Sequence, residues 1–207
     1  ACKDVGPGRM AEPNDIIDYV ISSFYEKDLS GKKVVVTAGP TIEPLDPVRF
    51  ITNHSSGKMG YNIAKIARNR GAQVVLVSGP TNIEPPKCVK LVKVNTTYEM
   101  LKAVESEFDD CDVLIKAAAP SDYRPETVSD VKIKKKDGDE SGLNIKFIKN
   151  PDIAAYFGKK KKNQIIVGFA AETNNLIEYA IEKLNKKNLD FIVANNVSQP
   201  GAGFKGD

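Results

Sequence analysis

Residues 33–78, KVVVTAGPTIEPLDPVRFITNHSSGKMGYNIAKIARNRGAQVVLVS, carry the clearest fold pattern in this chain. The stretch opens on the β-branched run 33–37 and closes on a second such run, 73–78, and runs with little polar alternation are typical of strands buried on both faces. Between them, residues 60–70 carry apolar positions at helical spacing and stop at Gly71, a residue that often ends helices. Strand, helix and strand in this order predict a parallel sheet.

The same alternation continues along the chain. Strands are predicted at 89–94, 112–118, 164–169 and 190–194, and helices at 15–25, 98–108 and 173–187. We therefore expect an α/β fold, a Rossmann-like doubly wound parallel sheet with helices on both faces. Two stretches interrupt this pattern: 39–56 is a proline-containing loop too long for a simple βα turn, and 122–150 predicts an inserted lysine-rich hairpin or mobile flap.

Composition narrows the class of protein. The chain has 207 residues, 41% hydrophobic and 28% charged, which is ordinary for a globular domain, and no apolar run approaches the ~18 residues of a membrane span. A net charge of +3 is too small for a dedicated nucleic-acid binder. Cys2, Cys88 and Cys111 with one histidine exclude a disulfide framework and the usual zinc sites. We expect a cytoplasmic protein with neither nucleic-acid nor membrane partner.

Residues 55–60, SSGKMG, directly precede a predicted helix. Two glycines and two hydroxyl groups there can bind a phosphate, because free backbone N–H groups and the helix dipole both favour an anion. A serine N-cap followed by a packing glycine explains the segment equally well. The segment is neither a P-loop nor a dinucleotide fingerprint, since the proline loop displaces its glycines far beyond Gly39, and this speaks against an ordinary NAD dehydrogenase.

Asp122 follows the sequence KAAAPS at the carboxyl end of a predicted buried strand, where ligands bind in open α/β sheets. The small residues Ala117, Ala118 and Ala119 would let a flat ring approach closely. The carboxylate could then accept a hydrogen bond from a base amino group or a sugar hydroxyl. An aspartate that only stabilises the following turn remains an equal alternative.

Lysines cluster in the predicted flap and at the end of the last predicted helix: Lys132, Lys134, Lys135, Lys136, Lys183, Lys186 and Lys187. A helix C-terminus favours cations, which explains the second cluster on structural grounds alone. A triphosphate substrate also needs several convergent cations and Mg²⁺ before a second anion can approach it. Two lysine groups on opposite sides of one cleft would supply them.

Seven motifs occur in order: TAGPT at 37–41, EPLDPVRF at 43–50, NHSSGKMG at 53–60, KIKK at 132–135, KNPD at 149–152, GFAAET at 168–173 and ANNVS at 194–198. In combination they resemble the phosphopantothenoylcysteine synthetase family, the ligases of coenzyme A biosynthesis, over residues 30–207. Residues 1–29 resemble a linker and the end of the flavin-dependent decarboxylase that is fused ahead of the synthetase in bifunctional proteins. Cys2 matches that decarboxylase's acid, but Lys3 replaces the usual glycine, and FMN is expected only in the absent decarboxylase domain.

The resemblance implies a CTP-dependent acid–amino-acid ligase. The carboxylate of 4′-phosphopantothenate attacks the α-phosphate of CTP, giving an acyl-cytidylate and pyrophosphate. The amine of L-cysteine then displaces CMP. Mg²⁺ is expected with the CTP, and the resemblance identifies no metal ligands.

By position, the resemblance assigns a nucleotide pocket to Lys116, Ala117, Ala118, Asp122, Pro151, Asp152, Ile153, Ala154 and Phe169, with Lys132, Lys183 and Lys187 on the triphosphate. It assigns phosphopantothenate binding to Gly39, Arg49, Asn53, Ser55, Gly57, Gly60 and Asn195. Arg49 and Asn53 match residues that reach across a homodimer. The expected catalytic residues are Asn53, which donates to the acyl oxygen as charge builds on it, and Lys132.

The resemblance leaves two alternatives open. One is a Rossmann-like nucleotide-binding or sugar-nucleotide-modifying domain without ligase activity, and a weaker one is a regulatory fold without catalysis. Pro120 and Ser121 stand where relatives carry a small apolar pair, so the geometry of the base pocket is a point to check. The choice between CTP and ATP depends on backbone geometry that the sequence does not contain.

Overall fold

The computed structural model describes residues 8, 10–134, 142–172 and 175–196. Within these ranges the helices are α1 (Pro13–Ser23), α2 (Lys58–Asn69), α3 (Thr97–Phe108), α4 (Ile153–Lys160) and α5 (Leu176–Lys186). The strands are β1 (Lys33–Ala38), β2 (Ile42–Pro44), β3 (Phe50–Thr52), β4 (Gln73–Ser78), β5 (Lys90–Lys93), β6 (Val113–Lys116), β7 (Tyr123–Pro125), β8 (Phe147–Lys149), β9 (Ile165–Glu172) and β10 (Phe191–Asn196).

One parallel sheet contains β1, β4, β5, β6, β9 and β10, in the spatial order β10-β9-β6-β1-β4-β5. The chain starts at the middle with β1, winds outward to β5, returns to β6 and winds outward in the other direction. This is the strand order of a doubly wound nucleotide-binding sheet, and it confirms the predicted fold class. The neighbouring strands β1 and β6 form the point where the winding reverses, and the crevice at their carboxyl ends is where such sheets bind ligands.

Apolar layers cover both faces of this sheet. On one face, Tyr61 and Ala64 of α2 pack against Val36 of β1. On the other face, Phe108 of α3 and Phe157 of α4 belong to one buried cluster, with ring centroids 4.5 Å apart. The central strands β1 and β4 are therefore buried on both faces, as their sequences predicted.

The structure differs from the prediction at the sheet edge and in the two interruptions. β5 and β10 are not buried on both faces; they are the two outer strands of the sheet, where the apolar layers of the helices end. The proline loop contains the antiparallel pair β2–β3, and the predicted flap begins and ends in the antiparallel pair β7–β8. α4 was not predicted. Lys135, Lys136 and residues 173–174 of the predicted last helix lie outside the described residues.

Candidate functional site

A cavity of about 490 Å³ opens at the carboxyl ends of β6 and β9, beside the point where the winding reverses. Its walls come from the N-terminus of α2, the loop after β6, the start of α4, the middle of β9, and the C-terminal half and C-cap of α5. The predicted residues that line it are Asn53, Ser55, Gly57, Lys116, Ala117, Ala118, Asp122, Pro151, Asp152, Ile153, Ala154, Phe169, Lys183, Lys187 and Asn195. One space thus joins most residues expected for the nucleotide with several expected for the acyl substrate.

The N-terminus of α2 faces this cavity through Gly57, Lys58 and Met59. The N-cap is Gly57, in the left-handed region at φ 79, and no side chain caps the helix. A serine N-cap, one of the two explanations open from the sequence, is therefore wrong. The packing role holds for Gly60, where a Cβ would lie 3.0 Å from the Thr37 carbonyl oxygen. The helix end combines close packing on β1 with N–H groups directed at a ligand space.

The side chain of Asn53 lines the cavity and contacts the loop after β6. Its Nδ2 donates to the carbonyl oxygen of Pro120 at 3.0 Å. This contact joins the loop before α2 to the loop after β6. It also places the amide among the cavity-lining groups, where the resemblance expects the reacting acyl group.

Buried polar contacts beneath the cavity fix the loop that carries Asp122. Glu43 is 2% exposed and accepts hydrogen bonds from the Thr97 backbone nitrogen at 2.9 Å and from its hydroxyl at 2.8 Å. The backbone nitrogen of Ser121 donates to the Thr41 hydroxyl at 2.9 Å, and Asn150 Nδ2 donates to the Ser121 carbonyl at 2.8 Å. These residues come from distant parts of the chain, and although Thr41, Glu43 and Asn150 lie in motifs, the spacing of those motifs gave no sign that they would meet.

The opposite wall is cationic. Lys187 Nζ lies 2.8 Å from Asp152 Oδ2, and the other oxygen of Asp152 accepts from the Ala155 nitrogen at 3.0 Å and so caps α4. Burial opposes ionisation of Asp152, but the hydrogen bonds from Lys187 and Ala155 lower its pKa overall. Lys183 Nζ donates to the carbonyl oxygen of Phe169 at 3.0 Å. The predicted triphosphate lysines of α5 are thus held at the cavity wall.

Lys116 is the last residue of β6 and lines the same cavity. Burial lowers the pKa of its ammonium to about 8, the nearby Lys187 and Lys183 lower it further, and Asp152 and Asp122 oppose the shift. The sequence assigned this position to base recognition. The structure adds a desolvated cation that the sequence did not predict.

Four predicted residues do not line the cavity: Lys132, Arg49, Gly39 and Gly60. Arg49 lies in the turn between β2 and β3, where its guanidinium contacts the buried carboxylate of Asp46 and donates to the Ile133 carbonyl at 2.7 Å. Asp46 also accepts from the Ile133 nitrogen at 3.1 Å. We call these contacts among Asp46, Arg49 and Ile133 the clasp. It holds the residue that follows Lys132.

The electrostatics of the clasp favour an ionised carboxylate. The hydrogen bond from Arg49 holds the pKa of Asp46 well below its usual range, against the opposing effect of burial. Backbone nitrogens of Val48 and Arg49 add hydrogen bonds of 2.8 Å each. The roles assigned to Arg49 and Asn53 across a homodimer, and to Lys132 on the triphosphate, stay predictions; in the structure Arg49 contacts Asp46 and Ile133 of its own chain.

The described residues contain no group of three or more histidine, cysteine, aspartate or glutamate side chains arranged to hold a metal ion. Asp122 and Asp152 are the predicted carboxylates on the cavity wall. Magnesium is commonly held by one or two carboxylates together with substrate phosphates, so these residues fit a metal that arrives with a nucleotide. In the same part of the chain, no helix has the length and apolar character to cross a membrane.

Comparisons with known proteins show the family to which this chain belongs. The family model described as the DNA/pantothenate metabolism flavoprotein C-terminal domain matches residues 29–207. The coenzyme A biosynthesis bifunctional protein CoaBC of Escherichia coli (strain K12) is 51% identical over 209 aligned residues, which cover 100% of this chain and 52% of that protein. The chain therefore spans about half the length of the curated relative.

Two solved structures share the architecture. The crystal structure of a CoaBC C-terminal domain superposes with a TM-score of 0.72 at 47% identity, covering 82% of this chain and 79% of the other. A Cab2 variant in complex with phosphopantothenate-cysteine superposes with a TM-score of 0.67 at 19% identity, covering 94% and 85%. The second likeness concerns the fold alone.

Proposed function

We propose that this chain, which belongs to the DNA/pantothenate metabolism flavoprotein C-terminal domain family, joins 4′-phosphopantothenate to L-cysteine with CTP as the activating nucleotide. The observation that carries the proposal is the single cavity in which the predicted nucleotide residues and the predicted acyl-substrate residues meet. The name of its bifunctional coenzyme A biosynthesis relative supports the same reaction.

The nucleotide half of the reaction is proposed for the walls made by β6, β9, α4 and α5. Ala117, Ala118 and Phe169 offer a flat apolar surface for a pyrimidine base, and Asp122 accepts from a sugar hydroxyl or base amino group. Lys183 and Lys187 hold the phosphates, since two ammonium groups on one helix reduce the charge that an incoming carboxylate meets. Mg²⁺ arriving with CTP would be held by the phosphates with Asp122 and would neutralise further charge.

The acyl half is proposed for Asn53, the N-terminus of α2 and Asn195. Asn53 can donate to the carbonyl oxygen of the mixed anhydride as negative charge develops during attack by the cysteine amine. The amide does not compete with the cysteine as a nucleophile. Ser55 and Gly57 present hydroxyl and backbone N–H groups to the phosphorylated substrate.

The remaining assignments are proposed from the family motif alone. Lys132 stabilises the triphosphate, Arg49 and Asn53 complete the site across a homodimer, and Gly39 and Gly60 let the backbone approach the substrate. A flavin-dependent decarboxylase fused to this domain would supply FMN chemistry in a longer protein. We propose a cytoplasmic setting, because these substrates are intracellular metabolites.

Pyrophosphate release tests the proposal. Phosphopantothenate is supplied with CTP, ATP, UTP or GTP, each with and without cysteine, and the acyl product is identified by mass spectrometry. We expect CTP to exceed UTP by a large factor in kcat/KM, because a site that hydrogen-bonds an amino group leaves buried partners unpaired with the wrong base.

The controls separate the steps of the reaction. Without cysteine, an acyl-cytidylate should accumulate to about one equivalent per site, and reactions without phosphopantothenate should release no pyrophosphate. Nucleotide binding without pyrophosphate release under any condition would instead favour the Rossmann-like domain that makes no amide bond. Equal kcat/KM for CTP and UTP would contradict the proposed base pocket.

A further inference from the structure

Lys116 ends the strand at the centre of the sheet. It pairs with Thr37 of β1 on one side and with Gly168 of β9 on the other. Successive strand residues alternate between faces, and Leu114, two residues earlier, belongs to the cluster under α3 and α4. Lys116 therefore emerges on the face covered by α4 and α5, where it lines the cavity.

The charged groups around its ammonium come from three elements. Asp122 lies on the loop after β6, Asp152 is the N-cap of α4, Lys183 lies in α5 and Lys187 is the C-cap of α5. With Lys58, the charged side chains lining the cavity comprise four lysines and two aspartates. The described cavity thus carries an excess of positive charge.

Lys183 and Lys187 each contact an acceptor in the protein, whereas the ammonium of Lys116 does not in the described part of the chain. Lys187 is paired with Asp152, and Lys183 donates to the Phe169 carbonyl. Within the described part of the chain, the Nζ of Lys116 forms neither a hydrogen bond nor an ion pair. A desolvated ammonium without an acceptor is unfavourable, and an anionic oxygen from a ligand would relieve that cost.

We propose that the ammonium of Lys116 binds the phosphate chain of the nucleotide directly and that the site takes up a proton when the nucleotide binds in mildly alkaline solution. The inference rests on the proposed function, because it takes a nucleoside triphosphate as the occupant. It adds a third phosphate ligand to the two lysines of α5. It also assigns the side chain a role distinct from base recognition by the backbone at this position.

The linkage has a defined sign. In the empty cavity the pKa of Lys116 is about 8, so its charged fraction falls above pH 8. A bound phosphate favours the charged form and raises that pKa, so binding recruits a proton. Affinity should therefore be flat near pH 7 and should fall by up to about tenfold per pH unit above pH 8.

Calorimetry of the full chain tests this inference. CTP, inorganic triphosphate and cytidine are each titrated at pH 7 to 9.5 in two buffers of different ionisation enthalpy, which gives both the dissociation constant and the protons taken up. We expect CTP and inorganic triphosphate to bind with an uptake approaching one proton at pH 9. Cytidine should bind without it.

Two variants assign the proton to this residue. In Lys116→Met, triphosphate affinity should fall at least about tenfold at pH 7 and the proton uptake should vanish. In Lys116→Arg, binding should persist with no uptake, because arginine stays charged throughout this range. Lys102→Met removes an exposed lysine of α3 outside the cavity and should behave as the parent protein. Circular dichroism verifies that each variant is folded.

Different results would overturn the assignment of Lys116 and the proposed ligase function. Parental triphosphate affinity in Lys116→Met, or unchanged proton uptake in either variant, overturns the inference. Weakened cytidine binding with intact triphosphate binding also overturns it and assigns the side chain to the base. If the parent protein binds CTP with proton uptake but forms no amide product, the proposed ligase function fails while the Lys116 assignment stands.

Discussion

The cavity wall and the clasp position their residues by different means. Lys116, Asp152 and Lys187 are placed by central strands and by two helices packed over a continuous apolar cluster. Lys132 instead adjoins a residue held by the contacts of Asp46 and Arg49, outside the main sheet. The positions of the cavity-wall residues therefore depend on the packing of the whole sheet, whereas the position of Lys132 depends on a few polar contacts. Substitutions should therefore affect stability in the first region and activity in the second.

The largest effect is expected for Gly158→Ala in α4, the helix whose start lines the cavity. A Cβ at Gly158 would lie 1.8 Å from the Lys187 carbonyl oxygen, so α4 would have to move away from the end of α5. Alanine gains about 1 kcal/mol of helix propensity, but the displacement should outweigh it and lower the free energy of unfolding by about 3 kcal/mol or more. Urea unfolding measures this.

Gly8→Ala is the matched control, since nothing lies within 4 Å of its added Cβ, and it should change stability by less than about 0.5 kcal/mol. Nucleotide binding by Gly158→Ala should be lost as well, because the Asp152–Lys187 pair joins the same two helices. If Gly158→Ala were as stable as the parent protein, the contact between α4 and the end of α5 would be easily deformed, and the residues of the cavity wall would not depend on rigid packing.

The next effect is expected in the clasp, for Asp46→Asn. The asparagine amide is uncharged and has only one accepting oxygen, so it cannot form the ion pair with Arg49 and keep all the hydrogen bonds of the carboxylate. Ile133 and the adjoining Lys132 should therefore lose their fixed position. We expect turnover to fall at least about tenfold while the free energy of unfolding changes by only about 1–2 kcal/mol. Steady-state kinetics and urea unfolding of one preparation give both numbers.

Glu126→Gln serves as the control, because Glu126 makes an exposed ion pair with Lys146 at the end of the β7–β8 pair and takes no part in the clasp. Such pairs contribute about 0–1 kcal/mol, so the control should keep both activity and stability. Unchanged turnover in Asp46→Asn would show that the reaction does not depend on the clasp.

The smallest effect concerns thiol reactivity and should leave activity unchanged. Burial raises the pKa of Cys111 in the sheet core to about 11, so only about one thiol in a thousand is ionised at pH 8. Cys88 is exposed. Iodoacetamide should therefore alkylate Cys88 at least about a hundredfold faster than Cys111, as followed by peptide mass spectrometry. Similar rates at the two cysteines would indicate frequent opening of the core.

The strands of the sheet were predictable because each one is indicated by its own short run of residues. Runs such as 33–37 and 73–78 are apolar and β-branched throughout, which identifies buried strands without knowledge of their partners. α4 was missed because it has only eight residues and contains Gly158, which weakens a helical pattern. The β2–β3 pair was missed because prolines at 44 and 47 made the stretch look like a plain loop.

The resemblance to a family assigned residues to the candidate site, but it did not give their contacts. The cavity brings Lys183, Lys187 and Asp122 together, as expected of nucleotide-binding residues. Nothing in the sequence indicated that Glu43 would be buried against Thr97, because residues 54 positions apart meet only after the sheet forms. The desolvation of Lys116 was likewise invisible, since it depends on two helices that follow later in the chain.

The helix ends at the cavity have a consequence for the direction in which substrates enter. α4 begins with the carboxylate of Asp152 on its own N–H groups, whereas α2 begins with Gly57, which has no side chain to occupy them. CTP and 4′-phosphopantothenate, the two proposed substrates with phosphate groups, could each bind in the wrong orientation if both helix ends accepted an anion. At α4 the Asp152 carboxylate already accepts from the Ala155 nitrogen, while at α2 a phosphate would compete with 3.4 Å contacts from the Ser55 and Ser56 hydroxyls. Under the proposed function, Asp152 therefore keeps a phosphate off the N–H groups of α4 and leaves the nucleotide phosphates to the neighbouring lysines.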